Sequence, residues 1–277
     1  MEILVSAGAG AVVAALLWLA MRPTFASPLF ARTNHRGASV PVAAGIITVL
    51  AVLFLAALEQ LLVGLKIDQD VLHAGGLGAL VIALGFGLLG FIDDVAELGS
   101  AKGFRGHLGA LRKGQVTTGA LKLIGGVAIA VWAVALFDLG RPADLVIDAL
   151  LVAGAANVGN LFDRAPGRTI KVSFVLGAIL LACTWGEAPP GVAVMLGAAV
   201  GLLLFDLREE LMLGDAGANP LGAMLGFGVV LASPLAIRVA ALAFVVVLNV
   251  ASEIVSFSAV IDRNPLLRGL DRLGRKT

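Results

Sequence analysis

Charge is scarce in these 277 residues. Asp, Glu, Lys and Arg make up 14% of the chain, against 59% hydrophobic residues. A soluble chain of this length cannot hide that much apolar surface, and the mean hydropathy of +1.00 points to a multi-span membrane protein. The single cysteine, Cys183, excludes an intrachain disulfide, and its place inside an apolar run reads as packing. The three histidines, His35, His73 and His107, are scattered and suggest no metal cluster. No basic stretch precedes the first apolar run, so that run reads as a retained anchor rather than a cleaved signal. No internal repeat is visible, which leaves an inverted-repeat transporter without support. The net charge of +1 says nothing about partners, and nothing in the basic pattern asks for nucleic acid.

What is present is a series of apolar runs. Nine are near spanning length: about 3–21, 40–64, 71–92, 116–137, 144–162, 170–186, 190–206, 216–232 and 236–261. The expectation is an all-α polytopic membrane bundle of about nine transmembrane helices, forming one integral-membrane domain over residues 1–277. Glycine is abundant (35) and recurs within the runs, where small residues let spanning helices approach closely. Alternate connections collect the basic residues. One side takes Arg22, Arg32 and Arg36; Lys102, Arg105, Arg112 and Lys113; Arg164, Arg168 and Lys171; Arg208; and Arg263, Arg268, Arg272, Arg275 and Lys276. Those are sixteen of the 20 Lys and Arg residues. The positive-inside rule then predicts the N-terminus outside and the C-terminus inside. It puts cytoplasmic loops near 22–39, 93–115, 163–171 and 206–216, with a cytoplasmic tail at 262–277. The longest loop reads as irregular, with room for a short interfacial helix. Trp18, Trp132 and Trp185 lie near predicted span ends, as an interfacial aromatic belt would place them.

Acidic residues on the same side need another reason. Asp93 and Asp94 close the third run as Gly90-Phe-Ile-Asp-Asp94, and an adjacent pair repels itself unless a cation is near. The plainer alternative is a helix end meeting water. In Asn157-Val-Gly-Asn160-Leu-Phe-Asp163, three polar side chains fall on one helical face, costly in lipid unless they meet a polar cavity or bond across helices. In Gly214-Asp-Ala-Gly-Ala-Asn219, an acid and glycines precede the eighth run, so helix N-terminal amides could face an anion, or Asp215 could simply be a cap. Carboxylates from three loops, interleaved with Lys and Arg, suit a divalent cation and a diphosphate-bearing substrate.

Together these motifs resemble the polyprenyl-phosphate N-acetylhexosamine-1-phosphate transferases, the glycosyltransferase family 4 group that includes phospho-MurNAc-pentapeptide translocase. The likeness runs in order along most of the chain. It takes in Asn34-His-Arg36-Gly37 with Pro41 and Gly45, Phe91-Ile-Asp93-Asp94, Lys122, Asn157-xx-Asn160-Leu161-x-Asp163, Gly214-Asp215-x-Gly217 with Leu221-Gly222, and Glu253-xx-Ser256. Three features depart from the family pattern. Pro166 stands where the family has a second aspartate, Ala218 replaces a serine, and Asp262-Arg-Asn-Pro265 stands where a histidine-rich segment is expected.

The resemblance implies transfer of a sugar-1-phosphate from a nucleotide-diphosphate sugar, in its UDP form, to a polyprenyl phosphate at the cytoplasmic face of the inner membrane, in cell-envelope glycan synthesis. It implies Mg²⁺ held by Asp215 and Asp163, catalytic roles for Asp93, Asp94 and Asp163, and substrate binding by Lys122, Asn157, Asn160, Arg168, Asn219 and Arg263. The partners it implies are the lipid phosphate, the nucleotide sugar and membrane lipids, with a homodimer left open. The alternative is a non-catalytic member that binds lipid-linked or nucleotide ligand and scaffolds envelope assembly. The arginines of the two altered loops, Arg164, Arg168, Arg263 and Arg268, suggest either a donor with extra negative charge or contact with anionic lipid headgroups.

Overall fold

A computed structural model describes residues 2–34, 36–67, 76–96, 118–137, 140–184 and 189–275. Among the described residues, nine long helices coincide with the nine apolar runs: α1 (Glu2–Phe25), α2 (Ile46–Gly64), α3 (Gly76–Ala96), α4 (Thr118–Ala135), α5 (Pro142–Phe162), α6 (Arg168–Cys183), α7 (Pro190–Leu207), α8 (Asp215–Ala232) and α9 (Leu235–Ile254). Seven of them are long and apolar enough to cross a membrane. α6, with 16 residues, is short, and α8 begins with Asp215, Asn219 and Pro220. Two short helices follow, α10 (Phe257–Arg263) and α11 (Pro265–Arg272). The protein is thus an all-α polytopic membrane protein.

Two boundaries differ from the sequence reading. The second run was expected to begin at residue 40. Instead β1 (Ala31–Thr33) and β2 (Ser39–Pro41) form a small antiparallel hairpin, with Arg32 opposite Val40. The Met212 N–H donates to the Pro41 carbonyl at 2.8 Å and the Gly45 N–H to that of Leu213 at 2.9 Å, so the hairpin edge is satisfied by the α7–α8 loop. The ninth run was expected to continue to residue 261, but α9 stops at Ile254. Val255 and Ser256 are extended, and the Ser256 side chain accepts the Ala259 N–H to start α10.

α8 is the hub. Every residue from Ala216 to Gly228 is buried, and α3, α5 and α7 all pack on it. Lipid tails are as apolar as leucine, so such packing depends on close fit rather than hydrophobic expulsion from water. Glycine supplies that fit at the decisive crossing. A Cβ at Gly90 would overlap the Asp215 carbonyl, so α3 meets the first turn of α8 with backbone against backbone. The same device joins α5 to α8, where a Cβ on Gly222 would strike the Ala155 carbonyl. α9 lies outermost, with only Val245 buried, and packs chiefly on α5. Trp18 departs from the expected aromatic belt. It is 2% exposed and packs against Phe25 and Phe205 in the core, whereas Trp132 is 59% exposed. Trp185, the histidines and nearly all of the 95–115 loop lie outside the described residues.

Candidate active site

The first turn of α8 is where the motifs meet. α3 ends beside it because Gly90 permits the approach, and the next turn of α3 carries Asp93 and Asp94. Adjacent helical residues point about 100° apart, so the two acids cannot do the same thing. Asp94 turns onto α8: its Oδ1 accepts the Asp215 N–H at 3.1 Å and its Oδ2 the Ala216 N–H at 2.9 Å. Those amides have no partner within the helix, and the helix dipole favours an anion there. The group that meets these α8 amides is therefore, in this structure, the protein's own Asp94 carboxyl.

Asp93 turns toward α4. Lys122, one turn into α4, donates to Asp93 Oδ2 at 3.1 Å and also to Asp215 Oδ2, bridging α3, α4 and α8. The three side chains are 27%, 20% and 18% exposed, neither sealed nor open. Asn160, from α5, donates its Nδ2 to Asp215 Oδ2 at 3.2 Å. Thr118, which the sequence reading passed over, hydrogen-bonds Asp93 from the start of α4.

Asp163 caps the C-terminus of α5 and closes the fourth side. Thr169 Oγ1 lies 3.3 Å from its Oδ1. Burial, followed by the charge of Asp215, pushes its carboxyl up to about 6, against the opposing pull of Thr169 and the Gly214 amide. Asp163 also opens on a cavity of about 160 Å³ between the hairpin, the α5–α6 loop and the α7–α8 loop, lined by Asn34, Arg164, Asp206 and Glu209 among others. Glu209 is held there at φ 59°, accepting from Asn34 Nδ2 at 2.6 Å and pairing with Arg36 Nε at 3.2 Å. Asp206 accepts the Gly167 N–H at 2.8 Å and so fixes the turn after Asp163. An acid ending an apolar run, Leu-Leu-Leu-Phe-Asp206, was the available signal for that residue.

Four of the expected site residues stand away from this cluster. Asn157 hydrogen-bonds Asn249 of α9, so of the two asparagines one serves interhelical bonding and the other the cluster. Asn219 is 4% exposed, one turn deeper along α8. Arg263 is exposed at the end of α10. Arg168 corrects the expectation most clearly. It is 5% exposed, its Nε and Nη2 bind both oxygens of Asp271 at 2.7 and 2.9 Å and its Nη1 donates to Ser258 Oγ at 2.7 Å, so every guanidinium nitrogen already has a partner within the protein. Loop position and charge did not distinguish a ligand-facing arginine from one consumed by the chain's own tail.

Among the described residues no group of three or more His, Cys, Asp or Glu is arranged as a metal cage. The donors present still fit a magnesium ion, which typically takes one or two carboxylates and completes its shell with substrate oxygens and water. Asp215 and Asp163 are hard oxygen donors close enough to influence each other, and Lys122 already marks the spot as one that holds a cation.

Comparison with known proteins identifies the family. The model of the family "Glycosyl transferase family 4" matches residues 76–233, the stretch that carries Asp93, Lys122, Asn160, Asp163 and Asp215. Similar curated proteins include the phospho-N-acetylmuramoyl-pentapeptide-transferase of Bacillus pumilus, 29% identical over 52% of this chain and 48% of that protein. The enzyme of the same name from Geobacillus thermodenitrificans is 26% identical over 69% and 60%, and that of Halalkalibacterium halodurans 24% identical over 82% and 72%. The chain spans about half the length of the first of these relatives. With more than half of its residues inside the family match, and the polar ones among them converging on one helix end, the chain belongs to glycosyl transferase family 4.

Proposed function

We propose that this protein transfers a sugar-1-phosphate from a nucleotide-diphosphate sugar, UDP-linked, to a polyprenyl phosphate at the cytoplasmic face of the inner membrane, in cell-wall glycan synthesis. The observation that carries the reading is the lysine-bridged pair Asp93–Lys122–Asp215 at the mouth of the bundle, inside the matched region. The names of the relatives support the reaction class. The sixteen basic residues that the sequence assigns to the motif-bearing connections support its orientation toward the cytoplasm.

The chemistry follows from who is already engaged. Asp94 has both oxygens on α8 amides, so its role is to hold Asp215 in place. Asp93 is then the carboxylate that meets the lipid phosphate, taking its proton or orienting it beside the Lys122 ammonium. An oxygen of the lipid phosphate attacks the phosphorus that bears the sugar. The bond from that phosphorus to the bridging oxygen breaks, and UMP leaves with the bond's electrons. The product is a polyprenyl diphosphate sugar. A divalent cation, when bound by Asp215 and Asp163, would offset charge on the donor diphosphate. Lys122 supplies a further positive charge already in position, and preorganised charge of this kind supplies most of the catalysis in phosphoryl transfer. Asn34, Arg164 and Glu209 line the adjoining cavity and are the groups placed to meet the nucleotide sugar.

The test uses purified protein, polyprenyl phosphate and a UDP-sugar carrying ³²P in the sugar-bearing phosphate. Label entering the organic phase, and lost with Asp93→Asn and Asp215→Asn, is the expected result. Label that stays aqueous with every donor of a broad UDP-sugar panel, from protein that binds those donors, supports the non-catalytic alternative.

A further inference from the structure

The last two helices form a surface that the transfer reaction does not use. α11 is fastened at both ends. Asn264 Oδ1 accepts the N–H groups of Leu266 and Leu267 at 3.0 and 3.1 Å. At the other end Lys171 donates to the carbonyls of Leu270, Asp271 and Leu273 at 3.2, 2.6 and 3.1 Å. At about 100° per residue, Leu266, Leu270 and Leu273 share one face, with Arg268 and Arg272 opposite. The three leucines are 71%, 57% and 67% exposed. The caps fix the helix at both ends, and among the described residues most of its leucine face is left uncovered.

Position and charge identify what covers that face. Lys171, which grips the end of α11, lies one turn below Phe174 and Val175 on α6, and both of these apolar side chains are more than half exposed. At 1.5 Å per residue, the Lys171 backbone that anchors the end of α11 lies roughly 5 Å along α6 from these exposed apolar side chains. Exposed apolar surface also recurs along the chain from α9 to α11, at Ile254 (80%) and Val260 (43%). Arg263, Arg268 and Arg272 stand beside this surface. Leucine on one side and arginine on the other is the pattern of a helix lying in the headgroup layer of an anionic bilayer.

We infer that α11 is a membrane-surface helix seated on anionic lipid, and that the buried Arg168–Asp271 pair ties this seating to the loop carrying Asp163. The tie is short. Arg168 is the first residue after that loop, Arg275 Nη2 reaches Asp271 Oδ1 at 2.6 Å, and Arg275 Nε donates to the Pro166 carbonyl at 3.0 Å. Burial alone would raise the Asp271 carboxyl, but its hydrogen bonds and charge pairing with Arg168, then Arg275, hold it below the ordinary carboxylate range. Pro166 and Arg168, two of the residues that set this loop apart, are therefore where the tail attaches. This inference does not depend on the transfer activity.

The experiment uses the full chain in lipid nanodiscs, in a Cys183→Ser background. Nitroxide labels are placed singly at Leu266→Cys, Leu270→Cys, Arg268→Cys and Arg272→Cys. In discs containing phosphatidylglycerol, the leucine positions are expected to be accessible to oxygen and shielded from a water-soluble nickel complex, with the arginine positions reversed. Pure phosphatidylcholine should weaken the seating by roughly fivefold for each arginine engaged. Equal nickel access at all four positions in anionic discs overturns the seating, as does dipolar broadening between labels of two protomers, which would make a second copy the occupant. The tie is read by hydrogen exchange. Asp271→Asn should speed exchange of amides 163–168 by roughly tenfold or more, and the swap Arg168→Asp with Asp271→Arg should restore protection. Should Asp271→Asn fail to fold, Arg275→Gln gives the same reading with one contact removed. Unchanged exchange in folded Asp271→Asn, or in Arg275→Gln where only that variant folds, overturns the tie.

Discussion

Replacing Lys122 with methionine removes the cation between Asp93 and Asp215 while keeping most of the side chain's volume. Two carboxylates are then neighbours without a counter-charge. At an effective dielectric constant of about 20, unit charges about 4 Å apart repel by roughly 4 kcal/mol. Exposures of 27% and 18% allow solvent screening, which brings the figure to about 2 kcal/mol. Lys122→Met should thus destabilise the purified protein by about 2 kcal/mol, and Asp93→Asn combined with it should recover at least half. The assay is a double-mutant cycle on denaturant unfolding in mixed micelles, run alongside turnover. Turnover should fall by at least ~10²-fold in Lys122→Met and should not return in the double variant, because the carboxylate and the ammonium are both asked to act. A coupling energy under about 0.5 kcal/mol between Lys122 and Asp93 would refute the reasoning, since it would mean that the bridge carries neither stability nor preorganisation.

Gly90→Ala should cost about 1–3 kcal/mol by overpacking, and should lower turnover as α3 is pushed off the first turn of α8; unaltered unfolding would show that the crossing is loose. Because the Asp163 carboxyl is pushed up to about 6, the folded state holds its proton more tightly than the unfolded chain. Its burial therefore penalises folding above about pH 6 and the penalty fades as pH falls toward 4, so the stability gained between pH 7 and pH 5 in excess chelator should shrink in Asp163→Asn. Asp271 works in the opposite direction. Its depressed carboxyl contributes stability above the unfolded value, lost only on acidification below it, so the tail should stay docked at pH 5 by hydrogen exchange. A C-terminal reporter should be active on the cytoplasmic side alone, and activity on the other side would place all the motifs on the wrong face.

Helix placement was legible in the sequence because a spanning helix needs an uninterrupted apolar run, and among the described residues each of the nine runs holds a long helix. The breaks were harder. Residues 31–41 are too short to show strand periodicity, and β2 is held partly by the distant α7–α8 loop. The stop at Ile254 depends on Ser256 acting as a cap within a stretch that is otherwise apolar. At the site, the motifs named Asp93, Lys122, Asn160, Asp163 and Asp215, which the structure brings together. The unequal duties of Asp93 and Asp94 could have been foreseen from their angle on a helix. The fate of Arg168 could not. Its partner lies 103 positions away, and the positive-inside bias already gave every arginine in that loop a reason to be there. Asn157 was misplaced for a related reason: its spacing from Asn160 puts both near one face, but α9 occupies the edge of that face and takes one of them.

The proposed activity is tested most directly by UMP release. Purified protein, polyprenyl phosphate, Mg²⁺ and a panel of UDP-sugars should yield UMP with at least one donor, in a reaction that needs the lipid, stops in excess chelator and is lost in Asp215→Asn. UMP release that survives both chelator and Asp215→Asn, or no release from any donor by folded protein that binds them, would contradict it.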